Sequence, residues 1–162
     1  MMGAYLLLFL GMNNTVALEL THPYIYTAPA SSFVKLAAIS LPSIAKYVVD
    51  AVIFAALSIL LMKTSPGEAI LGGITYWSIG VLFTAGVLLI QRVLGNLKNK
   101  VLIVLLYMFI LILLVVPGIV LAMVLESILG RAVGYLLCIV WNLLAAAAIT
   151  AACHNLLNAM DV

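Results

Sequence analysis

From Val101 to Leu125 the chain carries no charged side chain, and that continuity decides most of what it can become. About 20 consecutive apolar residues cover the roughly 30 Å of hydrocarbon in a bilayer, where a helix satisfies every backbone N–H and C=O within the segment itself. Similar apolar segments lie at 2–18, 43–62, 69–91 and 132–156. Only 7% of the residues are charged and 67% are hydrophobic, with a mean hydropathy of +1.36. A globular domain carries about 25% charged residues, so a chain of 162 residues cannot hide this much apolar surface from water. The expected fold is all-α: a single transmembrane domain, built as a polytopic membrane helix bundle of about five spans.

The longest run unsuited to hydrocarbon is Glu19 to Pro42, with a carboxylate, a histidine, a lysine, three prolines and paired tyrosines. Pro23 and Pro29 oppose helix between them and push the residues before them toward extended backbone. Tyr24, Ile25 and Tyr26 should therefore run extended along the membrane surface. After Pro29, Ser31 and Ser32 are candidate helix caps. Phe33 to Ile39 then places apolar residues, Leu36 among them, at helical spacing around Lys35, which describes a short amphipathic helix ending before Pro42. Such a helix either rests on lipid headgroups or docks on a protein, and spacing does not choose between the two.

Polar groups inside the apolar segments need partners. Asn13 and Asn14 should point at other helices, since facing lipid is costly. Lys46 and Asp50, four residues apart, share one side of a helix and are expected to form a structural pair. A proton or ion relay through Asp50 would need further ionisable residues at depth. Gly72, Gly73, Gly80 and Gly86 permit close helix contact without forming a Gly-x-x-x-Gly pair, and Ala145 to Ala148 with Ala151 and Ala152 form a small-residue face. Pro117-Gly118 leaves two outcomes open: one kinked span, or a span ending near Val116 followed by a half-helix. Cys138 and Cys153 lie in one expected helix about 22 Å apart, too far to pair with each other.

The basic residues are distributed unevenly. Lys35 and Lys46 lie at the first connection, Lys63 at the second, Arg92, Lys98 and Lys100 at the third, and Arg131 at the fourth. The positive-inside rule then puts loops 19–42 and 92–100 and the C-terminus in the cytoplasm and the N-terminus outside. An external N-terminus with no leading signal suggests that a preceding helix is missing.

Several chemistries lack their residues. There is no phosphate-binding Gly-x-x-x-x-Gly-Lys-Ser/Thr loop, no His-Glu-x-x-His, and no Ser, His and acid set at a shared depth, so no enzyme activity and no cofactor are expected. His22 and His154 fall on the same expected side, but two histidines without a carboxylate or thiol at ligand spacing make a poor metal site. A net charge of +2 is too small to point to nucleic acid.

Glu19-Leu20, Pro23-Tyr24-Ile25-Tyr26, Pro29-Ala30-Ser31 and Lys35-Leu36, in that order, resemble the cytoplasmic segment of the bacterial ABC exporter permeases. Arg92-Val93-Leu94-Gly95, Lys100-Val101-Leu102-Ile103, Pro117-Gly118-Ile119, Trp141-Asn142-Leu143-Leu144 and Asn155-Leu156-Leu157 with Met160-Asp161 are similar to that family's C-terminal part. The likeness covers nearly the whole chain. It implies a plasma-membrane permease subunit of an ATP-driven exporter, whose cytoplasmic ATPase is a separate protein, paired with a second permease half or a second copy. In such permeases a coupling helix docks on the ATPase, and the resemblance assigns that surface here to Tyr24, Ile25, Tyr26, Phe33, Lys35, Leu36 and Ile39. It also implies half-helices over Gly118 to Gly130. A non-transporting scaffold or truncated remnant, and a secondary carrier using Asp50, remain as alternatives; the substrate is not legible.

Overall fold

The computed structural model describes residues 31–94 and 100–160. The expected first span at 2–18, the residues Tyr24, Ile25 and Tyr26, and the centre of the basic loop at 95–99 lie outside the described residues. Those described form helices α1 (Ser32–Met62), α2 (Pro66–Leu94), α3 (Lys100–Leu129) and α4 (Arg131–Met160), with no strand among them. All 4 are long and apolar enough to cross a membrane.

Two prolines behave differently from the simplest reading of the sequence. The break expected before Pro42 does not occur, because α1 runs through it from Ser32 to Met62. The amphipathic segment is therefore not a separate helix but the first turns of the rod that also forms the span. Pro42 deprives the Ala38 carbonyl of its intrahelical donor. Ala38 is exposed, however, so that carbonyl is not stranded in a core. The Ser40 hydroxyl donates to the carbonyls of Leu36 at 2.8 Å and Ala37 at 3.2 Å, tying down the turn before the proline. Likewise α3 passes through Pro117 as one helix. Of the two outcomes left open there, the single span is the one found, and Gly118 to Gly130 does not form a separate half-helix.

The turns follow local chemistry. Ser65 accepts a hydrogen bond from the Glu68 backbone N–H at 3.4 Å, and Pro66 occupies the first helical position, where its missing donor costs nothing. Lys63 ends α1 in the left-handed region at φ 51°, and Gly130 alone joins α3 to α4 at φ +96°. A glycine adopts that angle without strain.

In space the order is α1, α2, α4, α3, with α2 packed on both α1 and α4, and α3 leaning chiefly on α4. Within the apolar windows, 61% of α2 is buried inside the protein, against 33% of α4, 11% of α3 and 6% of α1. So, among the described residues, α2 is the axis of the bundle, while α1 and α3 leave most of their apolar windows exposed.

Candidate functional site

The α1–α2 contact is built on glycines that admit side chains from the other helix. A Cβ on Gly73 would sit 3.0 Å from the Ala51 carbonyl oxygen, and one on Gly80 would sit 2.5 Å from Cγ of Tyr47. These two glycines are seven residues apart, two turns along one face of α2, which is why no four-residue glycine motif marks them. Between them Tyr76 stacks on Phe54 with ring centroids 5.4 Å apart. Tyr47 is buried and hydrogen-bonded to Thr84, whose own hydroxyl donates to the Gly80 carbonyl at 3.1 Å. Asp50 lies close enough to Tyr47 and Tyr76 to act on both electrostatically. Its Oδ2 and the Tyr76 hydroxyl are buried without a hydrogen-bond partner among the described residues.

On the other side of α2, α4 supplies the links. The Trp141 indole lies over Gly118, where a Cβ would stand 2.5 Å from Cδ1, and its Nε1 donates to the Leu114 carbonyl of α3 at 3.0 Å. The neighbouring Asn142 is fully buried; its Nδ2 donates to Ser78 Oγ at 3.1 Å and approaches Cys138 Sγ at 3.7 Å. Ser78 in turn donates to the Thr75 carbonyl at 2.7 Å. Asn142 Oδ1 has no partner among the described residues. Adjacent residues on α4 thus hold α3 and α2 in place.

Where α2, α3 and α4 meet, near the turn between α3 and α4, they leave an open cleft of about 250 Å³. Thr75 and Ile79 come from α2, Ile119, Ala122, Met123 and Glu126 from α3, and Gly134, Tyr135 and Cys138 from α4. Close helix approach shapes its wall, since a Cβ on Gly134 would meet the Ala122 carbonyl oxygen and the Glu126 Cβ at 3.1 Å. At the mouth, Arg131 lies 3.6 Å from Glu126 and 3.6 Å from Glu68. All three are solvent-exposed enough for each pair to be worth little in stability; their effect is on the local charge.

A family model described as "Putative ABC exporter" matches residues 1–161. The chain belongs to that family. Among curated proteins and solved structures nothing matches it. With its membrane-crossing helices, the ABC exporter chain is a multi-pass transporter component, and an exporter of this class works with an ATPase partner.

Within this exporter subunit, Leu36 and Ile39 are 5% and 6% exposed, packed against Val87 and Leu88 of α2 and Cys153 of α4. They fasten the start of α1 to the bundle. Lys35 is half-buried, whereas Val34, Ala37, Ala38 and Leu41 are exposed; Phe33 lies in the first turn of α1. Lys46 and Asp50 part company: Lys46 is exposed, Asp50 turns toward α2, and no ion pair joins them among the described residues. The stripe of α1 buried against its neighbours runs through Ser43, Tyr47 and Ala51. Asp50 falls beside that stripe and Lys46 one step further round, from where its long stem can carry the ammonium to the interface. Sequence reasoning named Asn142 only within a family motif and missed the cleft. Its only advance signal is Glu126 at the end of an apolar run, close to Arg131.

Proposed function

We propose that this protein is the transmembrane permease subunit of an exporter in which a separate cytoplasmic ATPase pushes on the segment 24–39. Charge asymmetry in the sequence supports that orientation: Lys35, Lys46, Arg92, Lys98 and Lys100 belong to the first and third connections, against Lys63 and Arg131 at the second and fourth. The observation that carries the reading is the unbroken α1. A helix of 31 residues is about 46 Å long, some 15 Å more than the hydrocarbon it crosses. In this reading its first turns would extend beyond the hydrocarbon at the basic end, as part of the same rod as the span. Tyr24, Ile25, Tyr26, Phe33 and Lys35, with the exposed Val34 and Leu41, would face the ATPase. Leu36 and Ile39 would pass its displacement to α2 and α4, on which they are clamped.

The test is capture of the ATPase from native membranes. Charge reversal at Lys35 or a Val34→Asp substitution should abolish capture while the protein still inserts. Leu36→Ala should keep capture but uncouple ATP hydrolysis from export. Unchanged capture in the first two variants, or tag accessibility placing residues 22–40 outside the cell, would overturn the reading.

A further inference from the structure

The cleft between α2, α3 and α4 has an apolar floor and a charged mouth. Ile79, Ile119, Ala122 and Met123 form a slot that offers nothing to a polar group. Glu126 is the charged residue in the cleft's lining, and it shares the guanidinium of Arg131 with Glu68, so two carboxylates face one cation. These carboxylates are acceptors, which a ligand meets with N–H groups or positive charge. Tyr135 adds an aromatic ring in the wall, a surface that attracts cations.

We propose that this cleft binds a cationic amphiphile, its ammonium or guanidinium head at Glu126 and Tyr135 and its hydrocarbon body in the Ile79–Ile119–Met123 slot. An anionic amphiphile would set like charge against Glu126, and a purely apolar guest would leave two carboxylates to one cation. At about 250 Å³ the cleft falls below the roughly 300–1,000 Å³ of sites for drug-sized ligands. It suits a compact head with one short chain rather than a two-chain phospholipid. The inference deepens the export reading, because it names the class of molecule that the subunit would carry.

Cys138 lines the cleft and reports on it directly. In the Cys153→Ala protein, purified as the full chain in phosphatidylcholine nanodiscs, Cys138 is the sole thiol. Decyltrimethylammonium should slow its modification by a small methanethiosulfonate, whereas decyl sulfate at the same bilayer density should not. Glu126→Gln should raise the protecting concentration about 5- to 10-fold, the usual worth of one charge-assisted contact. Glu68→Gln, which lowers the same charge without lining the cleft, should raise it about 2- to 3-fold. Equal protection by both amphiphiles, or protection unchanged in both glutamine variants, overturns the proposal. If the thiol does not react, equilibrium dialysis of radiolabelled decyltrimethylammonium makes the same comparison, and absence of saturable binding overturns it equally. These measurements need no ATPase, so a failure here leaves the coupling reading standing, and failed ATPase capture leaves this one standing.

Discussion

Replacing Gly80 by alanine tests whether α1 is keyed to α2 by shape. The new Cβ would stand 2.5 Å from Cγ and 2.8 Å from both Cδ atoms of Tyr47, whereas carbon–carbon contact is comfortable near roughly 3.5–4.0 Å. Tyr47 has nowhere to go. It is 3% exposed, its hydroxyl is hydrogen-bonded to Thr84, and the atoms struck lie at the base of the ring, closest to the α1 backbone. Relief therefore requires α1 to move off α2 by about 1 Å, measured against the contact distances of packed carbons. That movement also opens the close approach at Gly73 and Ala51. Overpacking of this kind costs about 1–3 kcal/mol, and a ring held at both ends argues for the upper figure. The better helix propensity of alanine returns about 1 kcal/mol, leaving a net loss of about 2 kcal/mol. Reversible unfolding by sodium dodecyl sulfate in mixed micelles, followed by far-ultraviolet circular dichroism, measures it. Gly86→Ala is the control: among the described residues its Cβ would meet only Ile110 Cγ2 at 4.0 Å, so it should gain up to about 1 kcal/mol. Adding Tyr47→Ala to Gly80→Ala should erase the penalty. Gly80→Ala matching Gly86→Ala in stability would refute the reasoning.

Three further perturbations follow from the geometry. Lys63 is in the left-handed region at φ 51°, so Lys63→Gly should raise the unfolding free energy by about 0.5–1 kcal/mol, and Gly130→Ala at φ +96° should lower it by at least about 1 kcal/mol. Trp141→Phe removes the indole donor to the Leu114 carbonyl and should cost about 1 kcal/mol in the same unfolding assay. Asn142→Ala and Ser78→Ala break one shared hydrogen bond, so their double mutant should fall short of additivity by about 0.6 kcal/mol, the average for such links in membranes.

Much of the site was beyond sequence reasoning for an identifiable reason. Phe33 to Ile39 does form helix, as its spacing indicates, but spacing could not show that Leu36 and Ile39 are taken up by α2 and α4. Lys46 and Asp50 share one side of α1, yet the packed stripe draws in only Asp50. Gly80 and Gly118 look like ordinary small residues in the chain; in space each receives an aromatic ring from another helix. Trp141-Asn142 and Pro117-Gly118 were noticed as family motifs, and what they do is meet.

Residence in the membrane, helical structure and the approximate position of each described span are properties of the chain read in one dimension. They depend only on how long an apolar run lasts, and lipid imposes the same requirement along its whole length. Which face of a helix meets protein was decided by the tertiary structure alone. In water a polar stripe marks the outer face, but lipid is as apolar as the interior, so the exposed Val52 and Leu60 and the buried Leu82 and Val87 are indistinguishable by type. What sorts them is shape: where a glycine leaves room for a ring, where a proline can be carried without breaking the rod, and where three helices fail to close.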